Sequence, residues 1–380
     1  MDETKYLSTK IDEKFMIPIA LVTGSGGLIG SEISQYLLKE KYKIIGIDND
    51  ARSTFFGPMA STQKNVQQLM MHSSYHHYHV DIRSMHELQN IFQIGGRQIQ
   101  VVIHTAAQPS HDWAVKEPIT DFSINAVGTS NLLECTRLYC FDANFIFMST
   151  NKVYGDRPND SKFEELSSRW ERYEEIPYEV ELMAQRTGAY KKILHSGIDE
   201  TMSLDQSLHS LFGASKVAAD ILVQEYGRYF GMKTVCLRGG CLTGPQHAGA
   251  ELHGFLSYLI HCAVHDNIYK IYGYQGKQVR DNIHTVDVAQ IIWHIIQQPK
   301  SGEVYNIGGG RLSNCSILEA IEKINQLTGK QLKTEYVDQP RRGDHQWYIT
   351  DMSKFQKDYS SWSPTYNIDQ IIEDIYEHSL

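Results

Sequence analysis

The sequence predicts an α/β protein: a doubly wound parallel sheet with a smaller C-terminal region. Three observations predict it. First, "IPIALVTGSGGLIGSEISQYLLKEKYKIIGIDND" runs apolar strand, glycine loop, amphipathic helix, apolar strand, the ~30 residues of one βαβ unit. Second, short apolar runs recur in the same rhythm, "YHHYHVDI", "IQVVIHTAA", "ANFIFMSTN" and "KTVCLRGG", separated by helical stretches such as "NAVGTSNLLECTRLY" and "SKVAADILVQEYGRYFG". Strands alternating with helices imply a parallel sheet. Third, from about Thr243 the rhythm loosens into the loops "GPQHAGAELHG" and "YGYQGKQVRDNIH", then helical stretches near 314–328 and 367–378.

In chain order, a polar leader precedes the first strand, and residues 1–242 hold most of the sheet. Residues 243–380 read as a capping region, with some chain crossing back. The segment 156–206 is rich in Glu, Arg and Tyr and shows no strand alternation. It is too long for a simple connection and reads as a partly helical excursion near the site.

The 380 residues, 41% hydrophobic and 21% charged, have the composition of an ordinary globular protein with a large core. A net charge of -9 gives no electrostatic support for nucleic acid or an acidic membrane as partner. No run of ~18 apolar residues occurs, and "MDETKYLSTKIDEKF" is polar and acidic where a signal peptide is basic and then apolar. The expectation is a soluble cytoplasmic protein. Cys135, Cys140, Cys236, Cys241, Cys262 and Cys315 lack metal-ligand spacing, so they read as reduced core thiols and no metal site is expected.

In "TGSGGLIGSE", Gly24, Gly27 and Gly30 follow a strand and open a helix that begins with Leu28 and Ile29. Glycines there allow a tight turn and let backbone N–H groups approach a pyrophosphate. Asp48 stands at the end of the next strand, where a carboxylate accepts from a ribose diol and repels a 2′-phosphate, favouring NAD over NADP. Asn49 and Arg52 follow it, and Arg52 complicates that preference. Asp81 and Ile82 in "VDIR" are placed to flank the adenine, and Ala106, Ala107 and Gln108 in "HTAAQPS" end a strand along the cofactor's path.

The motifs "VTGSGGLIGS", "HTAAQPS", "INAVGTSNLLE", "MSTNKVYGD", "LFGASKVAAD", "GKQVRDNIHTVDVA" and "YNIGGG" occur in an order that resembles extended short-chain dehydrogenase/reductases acting on nucleotide sugars. The resemblance spans about residues 18 to 325, and "STNKVYGD" with "GKQVRD" is most similar to the CDP-paratose 2-epimerases, also called CDP-tyvelose epimerases. It implies a Rossmann fold, bound NAD, and transient oxidation of a sugar carbon followed by re-reduction. For that subfamily the inverted centre is C2 of a CDP-hexose.

The strand "NFIFMSTN" delivers Thr150 to the carboxyl end of the sheet, where its hydroxyl can bond a reacting sugar oxygen. Related 4,6-dehydratases carry Asp-Glu next; this chain has Asn151 and Lys152, which cannot replace an acid and base in eliminating water. The family's Tyr-x-x-x-Lys sets a phenol one helical turn from an ammonium that lowers its pKa. Lys216 is present, and the resemblance assigns it to the nicotinamide ribose, but Phe212 stands where the tyrosine belongs. A phenyl ring carries no proton. Three readings stay open: an engineered substitution, a natural enzyme in which Thr150, Lys216 or a histidine moves the proton, or a protein that binds without turnover. His209 and Tyr154 are the substitute carriers considered. A reductase or dehydratase of the same fold is a further alternative.

On the substrate side, "LRGGCLTGPQHAGAELHGF" offers Arg238 and His253. The resemblance puts Arg280 of "GKQVRD" on the substrate diphosphate, a task suited to a fork of donors, although an internal Arg–Asp pair is the alternative. The resemblance also places Arg341 and Asp344 of "RRGDH" at a second diphosphate or nucleotide-ribose contact, Asn125 resembles the family's structural asparagine that supports the cofactor pocket, and the loop with Ser110 is expected to hang over the sugar. The expected partners are a nucleotide-sugar substrate and a second copy of the chain in a homodimer; the base and hexose are not legible.

Overall fold

The computed structural model describes residues 17–174, 194–247, 254–340 and 343–379. Seven strands form its main sheet: β1 (Ile19–Thr23), β2 (Lys43–Ile47), β3 (Tyr75–Tyr78), β4 (Ile99–His104), β5 (Asn144–Thr150), β8 (Thr234–Gly239) and β12 (Glu303–Ile307). Their order is β12-β8-β5-β4-β1-β2-β3, and every neighbouring pair is parallel. The Rossmann-type α/β fold is therefore as the sequence predicts, and the order reverses at β1, between β2 and β4.

Period-two alternation explains why these strands are apolar throughout: successive side chains feed cores on opposite faces. Ala20 and Val22 join Ile103, Ile146 and Leu237 on one face, beneath α1 (Leu28–Lys39) and α10 (Thr285–Gln297). Leu21, Val102, Phe145 and Cys236 enter the other, beneath α4 (Met85–Gly95), α7 (Gly128–Tyr139) and α8 (Leu211–Phe230). Helix α8 starts at Ser210, whose hydroxyl accepts from Gly213 N at 3.0 Å, and stops at Gly231, whose φ of 75° is left-handed.

The crossing back of the C-terminal chain takes a definite form. Strand β12 extends the sheet with Val304 opposite Cys236, and α10 packs on α1. The remaining chain forms a separate layer. In it β11 (Val279–His284) pairs with β9 (Cys241–Thr243), β13 (Asn314–Ser316) and β15 (Trp347–Tyr348), and β10 (Tyr269–Tyr272) pairs with β14 (Thr334–Val337). Its own core includes Leu259, Ile260, Ile324 and Ile371.

Residues 175–193, in the middle of the expected helical excursion, lie outside the described residues. The described flanks form a 3-10 turn at Arg157–Asp160 and a hairpin of β6 (Glu164–Glu165) with β7 (Trp170–Glu171). Among the described residues no helix is long and apolar enough to cross a membrane.

Candidate active site

A cleft of about 840 Å³ opens at the carboxyl ends of β1, β4, β5 and β8, with β9 to β11 forming its far wall. In open α/β sheets ligands bind at this edge, where the strand order reverses. Gly24, Gly27, Leu28, Ile29, Asp48, Asn49, Arg52, Asp81, Ile82, Ala106 and Ala107 all line it.

The glycine loop is cut to backbone dimensions. Gly24 has φ +66°, and a Cβ there would sit 2.8 Å from Ala106 N; a Cβ on Gly30 would sit 2.0 Å from Gly24 O. Asp48 is fixed at the end of β2: it accepts from Gly26 N at 2.9 Å, Asp50 N at 2.8 Å and Thr62 Oγ1 at 3.0 Å. A carboxylate has about four acceptor sites, so one remains for a ligand hydroxyl. Burial lowers Arg52 to about 10, leaving it a cation on the same wall. Asp81 is clasped by Arg83 at 2.6 Å.

The centre of the cleft brings together Thr150, Asn151, Lys152, Phe212 and Lys216. Thr150 caps a 3-10 turn and accepts from Lys152 N at 3.2 Å, which aims the hydroxyl from the strand end. Lys216 Nζ donates to Met148 O at 2.8 Å and stands 4.1 Å from the Phe147 ring centroid. Burial pushes its pKa down to about 8, opposed by Asp220. The Phe212 ring meets His111 edge-on at 4.9 Å. Lys152 Nζ donates to Gly343 O at 2.8 Å.

Toward the C-terminal wall, Arg280 pairs with Asp344 and also donates to Val279 O at 2.7 Å. Alternation along β11 sends Arg280 and Asn282 to the cleft and Asp281 behind it, where Asp281 accepts from Gly310 N at 2.9 Å and Thr350 N at 3.0 Å. Burial would raise the Asp344 carboxyl, but Arg280 and Lys152 hold it down at about 2.

The family model described as "NAD dependent epimerase/dehydratase family" matches residues 20–308. The chain belongs to this family. It is 27% identical to the CDP-paratose 2-epimerase of Salmonella typhi over 365 residues, covering 94% of this chain and 98% of that one. It is 27% identical to the dTDP-glucose 4,6-dehydratase of Salmonella typhimurium over 362 residues, 90% of this chain and 88% of the relative. The UDP-glucuronic acid 4-epimerase from Bacillus cereus, solved in complex with NAD, superposes with a TM-score of 0.70 at 26% identity, covering 95% and 96% of the two chains.

As a member of the NAD dependent epimerase/dehydratase family the chain uses NAD, and the cleft fits it. The close backbone packing at Gly24 and Gly30, the latter behind the cleft wall, brings the first turn of α1 at Leu28 and Ile29 to the cleft, a helix N-terminus suited to a pyrophosphate, and Asp48 lines the same space.

Several expected site residues stand elsewhere. Gln108 is fully buried behind the strand end, donating to Ser110 O at 2.9 Å and Asp121 Oδ1 at 2.7 Å. Asn125, in a π turn at Ser123–Val127, accepts from Gln108 N at 2.9 Å and donates to Ser215 at 3.0 Å. Both residues support the floor beneath the cleft. Arg238 is held below it by Asp220 and the Tyr154 hydroxyl, because strand alternation turns it away from the mouth. Tyr154 is itself buried, donating to Asn306 at 2.7 Å, and burial raises it to about 12. His209 sits with its ring nitrogens on Ser207 O at 3.0 Å and Val153 O at 2.7 Å, off the cleft wall. Neither is placed to carry a substrate proton.

Ser110 lines the cleft and caps the helix α5 (His111–Lys116), accepting from Trp113 N at 3.1 Å. His253 and Arg341 lie outside the described residues. Sequence reasoning missed the far wall, Tyr269–Tyr272 with Ile317, and the inner groups Cys241, Thr243 and Asn282. No spacing marks them, because four separate segments converge there.

Proposed function

We propose that the chain is a nucleotide-sugar epimerase that oxidises one hexose carbon transiently and re-reduces it on the other face, at C2 of a CDP-hexose. The observation that carries this reading is the composition of the cleft centre. Thr150 and Lys216 share one wall with the cofactor loop, while Asn151 and Lys152 occupy the positions after Thr150. Dehydration needs an acid and a base beside the sugar. Asp344 is an anion locked to Arg280, and an amide and an amine do not make that pair. The similarity to CDP-paratose 2-epimerase, which covers almost the whole of both chains, supports the base and the carbon.

Bound NAD supplies the hydride acceptor and donor. Gly24, Gly27 and Asp48 would hold it, and the Lys216 ammonium, which donates to Met148 O and stands over the Phe147 ring, would bind its nicotinamide ribose. The Thr150 hydroxyl donates to the reacting sugar oxygen and stabilises charge that develops there. Arg280 offers a guanidinium to the diphosphate. The chain also reads as a homodimer: α7 and α8 expose Leu138, Ile221 and Tyr229, an apolar stripe suited to pairing with its own copy, and sedimentation tests it.

Phe212 favours one second reading, a protein that binds NAD and a nucleotide sugar without converting it. Incubating the protein and its Phe212→Tyr variant with NAD and CDP-, UDP-, dTDP- and GDP-hexoses, scored by NMR, separates the two. Epimer from the unaltered protein supports the enzyme; epimer from the variant alone supports the silent binder. Net accumulation of NADH indicates a reductase-type reaction.

A further inference from the structure

A transient oxidation needs a group that takes the proton of the reacting hydroxyl as hydride leaves carbon, and returns it when hydride comes back. Phe212 cannot do this. The space beside its ring is nevertheless walled by proton-bearing groups. His111 meets the ring at 4.9 Å, and a Cβ placed on Gly343 would be 3.3 Å from His111 Cε1. The carbonyl of that same Gly343 accepts from Lys152 Nζ at 2.8 Å. The Lys152 main chain is equally close, since a Cβ on Gly213, the residue after Phe212, would sit 2.9 Å from Lys152 O. Lys152, on the turn that Thr150 caps, and Phe212 thus line the same part of the cleft, linked through Gly343 and His111.

From this geometry, and resting on the epimerase reading above, we propose that Lys152 is the catalytic proton carrier that replaces the missing tyrosine. In the first half-reaction the sugar O–H and C–H bonds break: the proton passes to the neutral Lys152 amine, the hydride to NAD, and C=O forms. In the second half the resulting ammonium protonates the oxygen as hydride returns to carbon. Protons and electrons balance, and no further reagent is needed.

The electrostatics suit the task. An ordinary lysine is cationic at neutral pH and cannot act as a base. Burial pushes Lys152 down to about 8, with Asp344 raising it and Arg280 lowering it. Cys241 faces it from β9 and His345 from beside Asp344, and burial keeps His345 well below its ordinary value and so neutral. Among the described residues His111 also stands next to Gly343. Lys216, equally low, is fixed by Met148 O and the Phe147 ring. Among the described residues the Lys152 amine donates to one carbonyl, which in its neutral form leaves one N–H and the lone pair for a substrate.

The test uses the full chain with NAD. Lys152→Arg keeps the cation and a donor for Gly343 O but cannot deprotonate, so conversion is expected to fall ~10²–10⁴-fold with NAD affinity unchanged. Adding Phe212→Tyr to a Lys152→Met variant is expected to restore turnover, because a phenol then stands where the amine acted. Independently of turnover, competitive acetylation read peptide by peptide is expected to show Lys152 titrating well below the usual ~10.4. Wild-type turnover in Lys152→Arg, or Lys152 labelling like a surface lysine, overturns the proposal and leaves the epimerase reading standing. A wild-type protein that converts no nucleotide sugar overturns the reading and the proposal together.

Discussion

Arg238 and Asp220 form a two-pronged buried ion pair behind the floor of the cleft, with Nε to Oδ2 at 3.1 Å and Nη2 to Oδ1 at 2.8 Å. Ser149 and Gln224 donate to the same carboxylate at 2.5 Å and 2.7 Å, so its lone pairs are filled. Removing one member leaves the other charged and dry. Asp220→Ala is expected to destabilise the fold by about 3–5 kcal/mol, measured by urea denaturation. A loss below about 1 kcal/mol contradicts the pairing.

The glycine loop gives a sharper steric test. Gly30→Ala places a methyl 2.0 Å from Gly24 O, on a backbone that cannot retreat because Gly24 is itself wedged against Ala106. The variant is expected to lose measurable NAD binding by calorimetry and about 1–3 kcal/mol of stability. Gly231→Ala, with nothing within 4 Å but φ +75°, is expected to cost only the strain of about 1 kcal/mol.

The proposed role of Asp48 in choosing NAD over NADP is open to a direct test. Asp48→Ala removes the acceptor for a ribose diol and the anchor of Gly26 N and Thr62. NAD affinity is expected to fall roughly 10–100-fold, with the preference over NADP reduced, in paired titrations with the two cofactors.

The Asp344–Arg280 pair makes stability depend on pH in a known direction. The folded carboxyl is held near 2, below the ~3.9 of an unfolded aspartate, so the folded state favours the ionised form. That contribution is fully present above about pH 4 and is lost as pH falls toward 2. Asp344→Asn is expected to flatten this part of the stability–pH curve by on the order of 2 kcal/mol, read from denaturation midpoints at successive pH values.

What the sequence carried was local. The strand–loop–helix around Gly24, the acid at Asp48 and the Thr150 strand end each lie within one short segment, and the fold follows from their alternation with helices. What it hid depends on contacts far apart in the chain. Arg238 reads as a ligand until β8 is placed in the sheet, where it faces Asp220 from α8 rather than the cleft. Arg280 pairs with Asp344, 64 residues away, and not with its neighbour Asp281, because alternation puts those two on opposite sides of β11. The setting of the Lys152 amine is likewise invisible without Gly343, which returns from far along the chain to accept from it.

The most direct measurement follows the hydrogen itself. A CDP-hexose deuterated at C2 is incubated with the unaltered protein and NAD, and the products are examined by NMR. The expected result is the C2 epimer with its deuterium retained and no net NADH, as removal and return of one hydride require. Absence of any epimer, or an epimer whose C2 hydrogen comes from solvent, contradicts the account.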